Sequence, residues 1–270
     1  MNIIKKVFPI FIKDFIKNII FKINQNKNIY YCPVCNKKIN GFNKIDEAYF
    51  KEWDKNQFIH SIFCFETLNF LFYSCKKCGA SDRDRLSALF LKEKLLKNGN
   101  KKYKIIDFAP SAVSELIKNS KEVEYVSADL NAKNVDINID IQEMSALNEN
   151  HFDAFICSHV LEHVLNDVKA LSELYRILKY GGWGILMVPI SLNLNNDYEN
   201  NNNISESERW KHFGQNDHLR LYSKRGFLEK VKNAGFSLKQ LDVDYFGKDI
   251  FTKSGINNRS VLYIVEKNVG

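Results

Sequence analysis

Two pairs of cysteines in the first third of the chain have the spacing of a metal site. Cys32 and Cys35 form one C-x-x-C pair, and Cys75 and Cys78 form a second pair that Gly79 follows directly. Each pair can present two thiolates to one tetrahedral zinc ion, and four cysteines leave no open coordination position. We therefore expect a structural zinc site with these four cysteines as its ligands.

Other interpretations of the cysteines remain open. Disulfide bonds could join them, but we find no cleavable secretory signal, and a reducing compartment favours metal over disulfide. The spacer at residues 36–74 is longer than the usual gap, so Cys64 or His60 could replace a ligand. Because residues 62–65 have the composition of an apolar strand, we expect Cys64 to be a small buried side chain instead.

A group of polar residues in the middle of the chain follows an apolar run at residues 154–157, which predicts a strand. Ligands of parallel α/β sheets bind beyond the C-terminal ends of the strands. The group is therefore placed where a ligand site is expected. Its members are Ser158, His159, Glu162 and His163.

The residues that follow predict a strand–helix–strand unit. Residues 167–178 have apolar side chains at the i, i+3, i+4 and i+7 spacing of one buried helix face. We expect Gly181 and Gly182 to end this helix, because glycine takes the left-handed C-cap conformation at low cost. A second buried strand is predicted at residues 184–188, and a crossover of this kind joins parallel strands in a right-handed unit.

This stretch resembles class I S-adenosylmethionine-dependent methyltransferases of the type 11-like group, in which an acidic strand start, HVLEH and LK-x-GG-x recur in this order. The resemblance covers roughly residues 101–270. It implies an α/β fold with a doubly wound, seven-stranded Rossmann-like sheet, and S-adenosylmethionine as cofactor. A dinucleotide-dependent dehydrogenase is disfavoured, because no G-x-G-x-x-G motif is present to seat a pyrophosphate.

The resemblance also implies which residues bind the cofactor. The first loop of the family is rich in glycine because the backbone approaches the cofactor closely, and here Ala109 and Ser111 stand at those positions. Asp129 ends the next predicted strand, where a carboxylate can accept both ribose hydroxyls. Asp140 ends the alternating segment 135–141 and matches the position that accepts from the adenine amino group. The full set is Asp107, Ala109, Pro110, Ser111, Asp129, Leu130, Asp140, Ile141, Ser158 and His159.

Titratable side chains are concentrated at residues 210–222, a region that covers the acceptor pocket in the fold implied by the resemblance. We expect His218 to be the general base, because a base is needed when the acceptor is a hydroxyl or a protonated nitrogen. Asp217 or Tyr222 would orient it, and Arg220 would hold an anionic group of the acceptor. The alternative is a polar loop without a catalytic role.

A predicted helix begins directly after the second cysteine pair and extends to about residue 97. Arg83 and Arg85 in its first turn could bind a carboxylate or phosphate of the substrate, for which the guanidinium fork is suited. They could equally pair with Asp82 and Asp84. Two C-x-x-C pairs, an R-x-R motif and a methyltransferase domain together resemble a bacterial subfamily of zinc-ribbon methyltransferases, some of which occur with cell-surface polysaccharide genes.

The first 23 residues form an amphipathic pattern, with apolar residues on a wide arc and lysines opposite. This segment is too often interrupted by charge for a transmembrane span. It is either an interfacial anchor on the inner face of a membrane or a helix docked on protein. We thus expect an amphipathic segment (1–30), a zinc-ribbon module with its linking helix (31–98) and a class I methyltransferase domain (99–270).

The net charge is unevenly distributed along the chain. The whole sequence carries a formal charge of +7. Residues 1–30 contribute +5 from six lysines and one aspartate, and residues 31–100 contribute +4 from twelve basic and eight acidic residues, which leaves −2 for residues 101–270. Nucleic-acid enzymes usually have a basic face around the site, so we do not expect a nucleic-acid partner.

Together these patterns predict a cytoplasmic S-adenosylmethionine-dependent methyltransferase that acts on a small-molecule or cell-surface-carbohydrate-linked acceptor. Two alternatives remain open. An RNA base methyltransferase would use the zinc ribbon to grip RNA, and its RNA binding would depend strongly on salt. A catalytically degenerate scaffold would bind the cofactor without turnover, as the replaced glycines at Ala109 and Ser111 suggest.

Overall fold

The computed structural model describes residues 30–96, 102–200 and 204–268. The predicted amphipathic segment at residues 1–23 lies outside these ranges. Among the helices of the described ranges, none has the length and the apolar character that a membrane crossing needs.

The described part of the chain contains a large central sheet and three small two-stranded ones. The strands are β1 (Tyr30–Cys32), β2 (Lys37–Ile39), β3 (Phe42–Asn43), β4 (Ser74–Cys75), β5 (Tyr103–Phe108), β6 (Val123–Asp129), β7 (Ile137–Asn138), β8 (Phe152–Ser158), β9 (Leu178–Met187), β10 (Tyr198–Glu199), β11 (Arg220–Leu221), β12 (Ser237–Leu241) and β13 (Leu262–Glu266). The helices are α1 (Glu47–Lys55), α2 (Asp82–Leu96), α3 (Ser114–Lys118), α4 (Asp167–Ile177), α5 (Glu206–Phe213), α6 (Lys224–Asn233), α7 (Val243–Phe246) and α8 (Lys248–Lys253). A 3-10 turn covers Ile62–Cys64.

The central sheet has seven strands in the order β12, β13, β9, β8, β5, β6, β7. Strands β5 to β9 pair in parallel, whereas β13 is antiparallel to both of its neighbours. The central strands β5 and β8 are buried along nearly their whole length, which is typical of parallel strands covered on both faces. This architecture confirms the doubly wound, Rossmann-like fold that the sequence predicted.

The helix after the central polar group ends earlier than its glycines suggested. Helix α4 ends at Ile177, and Leu178 is already extended, so Gly181 and Gly182 lie inside β9. There the register between β8 and β9 shifts, and Gly181 has a φ of +73°. The glycines therefore serve an irregular strand rather than a helix C-cap.

Two further predicted strands differ in the structure. The segment 135–141 forms only the two-residue β7, because Asp136 turns its carboxylate to the backbone N–H and hydroxyl of Ser127, at 2.8 and 2.6 Å. The predicted strand at residues 62–65 is a 3-10 turn that the side chain of Ser61 caps. Cys64 is buried there, with its sulfur 3.0 Å from the hydroxyl of Ser191.

The N-terminal part of the described chain, residues 30–96, contacts the rest of the protein through α2. The pairs β1–β2 and β3–β4 are antiparallel. Arg85 in α2 is buried and donates to the carbonyl groups of Ala80 and Ser254, both at 2.7 Å. Its guanidinium also lies 3.9 Å from the centre of the Phe42 ring. The N-terminal part is therefore fixed to the C-terminal half of the chain by buried polar and ring contacts.

Candidate functional site

The four cysteines of the two C-x-x-C pairs meet in space. Their sulfur atoms all lie within 4.8 Å of one another. The sulfurs of Cys32 and Cys78 are 3.7 Å apart, and those of Cys35 and Cys75 are 4.0 Å apart. Zinc–sulfur bonds in a tetrahedron imply sulfur–sulfur distances of roughly 3.8 Å. The geometry and the donor set therefore fit a tetrahedral zinc ion.

Both cysteine pairs are shaped by the same kind of turn. The N–H of Asn36 donates to the carbonyl of Cys32, and the N–H of Gly79 donates to the carbonyl of Cys75, each at 2.9 Å. Asn36 and Gly79 both adopt positive φ, at 58° and 73°. Asparagine tolerates this conformation better than most residues, so the two turns are equivalent.

The other cysteines stay apart from this cluster. Cys64 bonds to Ser191 as described above, and His60 packs edge-on against the ring of Phe58. All cysteines of the chain fall in the described ranges, and none of them forms a disulfide there.

The strand ends that should carry the cofactor residues lie at one edge of the central sheet. Phe108 pairs with Ala128 on one side and with Cys157 on the other. The residues that follow these positions, Ala109, Asp129 and Ser158, therefore stand side by side. Parallel strands end at the same edge, so the sequence order of these residues predicts their proximity.

Asp107 lies beneath this edge rather than at its surface. It is 1% exposed, and one of its carboxylate oxygens accepts from the hydroxyls of Ser114 at 2.5 Å and Tyr125 at 2.9 Å. Burial raises the pKa of Asp107 to about 6, although both hydroxyls oppose the shift. The hydroxyl of Ser114 also accepts from the N–H of Ser111 at 2.9 Å. Asp107 therefore holds the loop in place from the interior.

Two residues at the same edge have left-handed backbones although neither is glycine. Ala109 has a φ of 52° and His159 has a φ of 59°. Each is held by a backbone bond, from Ala109 to the carbonyl of Ala128 at 2.9 Å and from His159 to the carbonyl of Met187 at 2.8 Å. Such conformations cost free energy and cluster at functional sites. Ala109 thus adopts the backbone shape for which glycine is better suited.

The acidic residues of the next two strand ends are partly exposed. One oxygen of Asp129 accepts from the N–H groups of Asn131 and Ala132, both at 2.8 Å, which fixes the carboxylate. Asp140 accepts from the backbone N–H of Gln142 at 2.8 Å. Leu130, beside Asp129, is 57% exposed. These ends therefore offer fixed carboxylates and an apolar side chain to a ligand.

A pocket lies beyond the ends of β8 and β9, between the central sheet and the N-terminal part. Arg83, His159 and His218 provide the basic side chains of its wall. Aromatic residues of the N-terminal part, among them Tyr49 and Trp53, also line the pocket. The pocket therefore combines aromatic surface with a few polar groups.

Next to this pocket, a buried carboxylate is surrounded by histidines. Glu162 is 0% exposed, and its Oε1 lies 2.9 Å from Nδ1 of His159 and 4.0 Å from Nε2 of His163. His163 in turn places Nδ1 3.2 Å from a carboxylate oxygen of Asp217. The ring of His218 packs edge-on against that of His163, with centroids 4.7 Å apart.

The charges of this cluster follow from burial and from the mutual contacts. Burial alone would raise the pKa of Glu162, but the nearby histidines lower it to about 2. Burial lowers the pKa of His218 to about 4. At neutral pH the carboxylate is ionised and the imidazole of His218 is neutral, so His218 can accept a proton or bind a cation.

The structure separates the catalytic residues that the sequence had grouped. His218 lines the pocket as expected. Asp217 bonds to His163 rather than to His218. Tyr222 does not orient His218 either, because its hydroxyl donates to a carboxylate oxygen of Asp167 at 2.7 Å.

Arg220 is in a position that does not suit the role expected of it. It is 1% exposed, and its guanidinium donates to the carbonyl groups of Leu161 at 2.7 Å and Leu165 at 3.0 Å, and also to that of Val164. Through these hydrogen bonds the guanidinium of Arg220 stabilises the loop after β8 and does not face an acceptor. The position of Arg220 therefore favours a structural role over the binding of an anionic acceptor.

The two arginines of α2 also have different roles. Arg85 is buried among backbone carbonyls, away from the pocket. Arg83 lines the pocket, and its Nη1 lies 3.4 Å from Nδ1 of His159.

The sequence did not identify Glu162 and His163 as partners of His218. The HVLEH motif contains both residues, so it could have pointed to them.

The comparisons with known proteins agree with this architecture. Residues 90–186 match the family model described as a methyltransferase domain. No curated protein matches the chain.

The solved structures with a similar fold share little sequence with the chain. A carbon methyltransferase, CurJ, has 12% identity and a TM-score of 0.46 over 69% of this chain and 54% of its own, so the chain spans about half of CurJ. The [4+2]-cyclase SpnF has 13% identity and a TM-score of 0.45 over 69% of this chain and 84% of its own. A SAM-dependent methyltransferase from Archaeoglobus fulgidus has 13% identity and a TM-score of 0.44 over 71% of this chain and 97% of its own. The family match over residues 90–186 and the seven-stranded sheet together indicate a Rossmann-like methyltransferase fold in this chain.

Proposed function

We propose that this chain transfers the methyl group of S-adenosylmethionine to a small-molecule or cell-surface-carbohydrate-linked acceptor. One observation carries the proposal. The pocket beyond β8 and β9 places Arg83, His159 and His218 beside the strand ends where the cofactor would bind. Methyl transfer is an in-line displacement, so a site that holds the acceptor next to the sulfonium supplies much of the rate enhancement.

The cofactor would lie along the edge formed by β5, β6, β7 and β8. The left-handed backbone at Ala109 supports a close approach of the first loop to the methionine part. The fixed carboxylate of Asp129 suits the ribose hydroxyls. Asp140 and the buried Ile141 suit the adenine, and the backbone at Ser158 and His159 would contact the sulfonium side.

The four-cysteine cluster would hold a structural zinc ion. Its sulfur–sulfur distances fit a tetrahedron, and four thiolates close the coordination shell. The ion would fix the N-terminal part, from which Tyr49 and Trp53 reach the pocket. In this proposal the zinc ion organises the acceptor site from outside and takes no part in the chemistry.

The acceptor is expected to carry an anionic group as well as the atom that is methylated. Arg83 takes the role expected of Arg220 from the sequence, because it lines the pocket and a guanidinium binds carboxylate or phosphate in a forked geometry. Sugar nucleotides and phosphorylated sugars have this combination. The aromatic side chains that line the pocket would pack on the apolar face of a sugar ring.

A proton must leave the acceptor if its nucleophile is a hydroxyl. The neutral imidazole of His218 is positioned for this role in the pocket wall. The carboxylates of Glu162 and Asp217 lie close to the histidines. They would therefore stabilise the positive charge that His218 gains when it takes the proton.

The proposal is tested by methyl transfer from S-adenosylmethionine labelled in its methyl group to a panel of sugar nucleotides, phosphorylated sugars and RNA. We expect label in a sugar-containing acceptor and none in RNA. Label that appears only in RNA would show that the acceptor is RNA and not a sugar-containing molecule. Cofactor binding without transfer to any acceptor would favour a scaffold.

A further inference from the structure

We infer that Glu162, His163 and His218 form a second metal site, which binds a divalent transition-metal ion beside the acceptor pocket. The ligand atoms of these three residues all lie within 4.8 Å of one another. Metal–nitrogen and metal–oxygen bonds of about 2.1 Å imply ligand–ligand distances of roughly 3.4 Å in a tetrahedron. Small rotations of the side chains would therefore complete the site.

Two buried polar atoms of the cluster have the position and the chemistry of metal ligands. Glu162 is 0% exposed and His218 is 4% exposed. Within the described ranges, Oε2 of Glu162 and Nδ1 of His218 are buried and have no hydrogen-bond partner. A buried carboxylate without a full set of partners costs considerable free energy. A cation between the carboxylate and the imidazoles would satisfy these atoms.

A fourth residue, Asp217, holds His163 in the orientation that metal-binding histidines require. Nδ1 of His163 lies 3.2 Å from a carboxylate oxygen of Asp217. Nε2 of the same ring faces Glu162, at 4.0 Å from Oε1. Histidines that bind metals usually donate their other ring N–H to a carboxylate, which fixes the tautomer and raises the basicity of the ligand nitrogen. Asp217 is therefore a positioning residue for His163.

This site differs in kind from the four-cysteine cluster. Two imidazoles and one carboxylate are ligands that suit zinc, cobalt, iron(II) or manganese, and three protein ligands leave coordination positions open. His218 is shared between the cluster and the pocket wall. The open positions are consequently close to the space in which an acceptor would lie.

Because the acceptor would reach the open positions, the ion would favour a hydroxyl acceptor; this step rests on the proposed function. A hydroxyl bound to a divalent ion loses its proton more readily. The proton passes to solvent, the oxygen forms a bond to the methyl carbon, and the carbon–sulfur bond breaks with its electron pair left on sulfur. With the ion bound, His218 would act as a metal ligand in place of the general-base role proposed above, which applies to the metal-free site.

The site is tested by titrating Co²⁺ into the full chain, after mild chelation that leaves the zinc of the four-cysteine cluster in place. Calorimetry and the absorption of bound cobalt give the stoichiometry and the ligand type. We expect one Co²⁺ per chain, without the intense thiolate bands that cobalt would show in the four-cysteine cluster. His163→Ala and Glu162→Gln should weaken binding by 100-fold or more, since each removes a ligand. Asp217→Asn should weaken it by about 10- to 100-fold.

His151→Ala is the matched control, because it removes an imidazole at the opposite end of β8 and should leave Co²⁺ binding unchanged. Circular dichroism establishes that each variant is folded. An equal Co²⁺ affinity in the wild type, Glu162→Gln and His163→Ala would overturn the inference, as would a wild type that binds no Co²⁺. Neither the cofactor nor an acceptor is present in this titration, so its outcome is independent of whether methyl transfer is found.

Discussion

Arg83 places its Nη1 3.4 Å from Nδ1 of His159, and this contact links the helix after the cysteine pairs to the strand end where the cofactor would bind. His159 in turn lies 2.9 Å from the buried carboxylate of Glu162. The N-terminal part and the methyltransferase domain therefore contribute side chains to one pocket. In the proposed function, the cysteine-rich part would therefore contribute to acceptor binding as well as to folding.

The contrast between Arg83 and Arg220 gives the first prediction. Arg83→Gln should raise the Michaelis constant for an anionic acceptor about 10-fold or more, with cofactor affinity unchanged, because a charge-assisted hydrogen bond is lost. Arg220→Gln should lower the stability instead, because its guanidinium holds three backbone carbonyls. Steady-state kinetics and denaturant unfolding of both variants measure the difference. Equal Michaelis constants in wild type and Arg83→Gln would remove Arg83 from the acceptor site.

The second prediction concerns the ribose. Asp129→Ala should weaken S-adenosylmethionine binding by roughly 1.5–3 kcal/mol, the range for lost hydrogen bonds to a charged group. Isothermal titration calorimetry measures the affinity, and Asp249→Ala, an exposed residue of α8, is the control. If both variants bind the cofactor as the wild type does, Asp129 is not the ribose ligand.

The third prediction concerns zinc. Cys35→Ser should lose the zinc ion and loosen the N-terminal part, because metal binding contributes directly to the folding of such modules. Cys64→Ser should retain zinc, because Cys64 lies outside the cluster and is hydrogen-bonded to Ser191. Elemental analysis of proteins purified without chelator gives the metal content. A wild type without zinc, or a Cys35→Ser variant with full zinc, would contradict the assignment.

The fourth prediction follows from the carboxyl of Asp107, because burial raises its pKa to about 6, above the usual value of an aspartic acid. Its folded pKa lies above its unfolded pKa, so folding stability should fall as pH rises from about 4 through about 6. The effect is on the order of 3 kcal/mol, at about 1.4 kcal/mol for each pKa unit. Asp107→Asn should lack this loss.

Urea unfolding of the wild type and Asp107→Asn at pH 5 and pH 7.5 measures this effect. The buried Asp82, whose pKa is also raised to about 6, is present in both proteins and cancels in the comparison. A stability difference between the two proteins that does not change with pH would show that Asp107 is not responsible.

Much of the fold could be predicted because it depends on local patterns. The apolar runs of β5, β6 and β8 and the helical spacing of α4 are visible in the sequence, and parallel strands end at one edge of their sheet. The sequence predicts a later end for α4 than the structure has, because two consecutive glycines usually mark a helix C-cap. Here Gly181 and Gly182 lie where the pairing of β8 and β9 shifts register, a long-range effect.

The candidate site was less predictable, because its contacts join distant parts of the chain. The HVLEH motif showed that His159, Glu162 and His163 lie close together. Only the folded chain brings His218 against them, 4.7 Å from His163 between ring centroids. Arg220 is buried, and this burial determines its contacts. Sequence spacing does not show which arginine of a polar segment will be buried.

The most direct test of the account is the transfer of labelled methyl from S-adenosylmethionine by the full chain, purified without chelator, to phosphorylated sugars and sugar nucleotides. We expect one of these acceptors to gain the label, and S-adenosylhomocysteine to form in equal amount. Arg83→Gln should need a higher acceptor concentration for the same rate. Tight cofactor binding with no label in any acceptor of this class would contradict the proposed function.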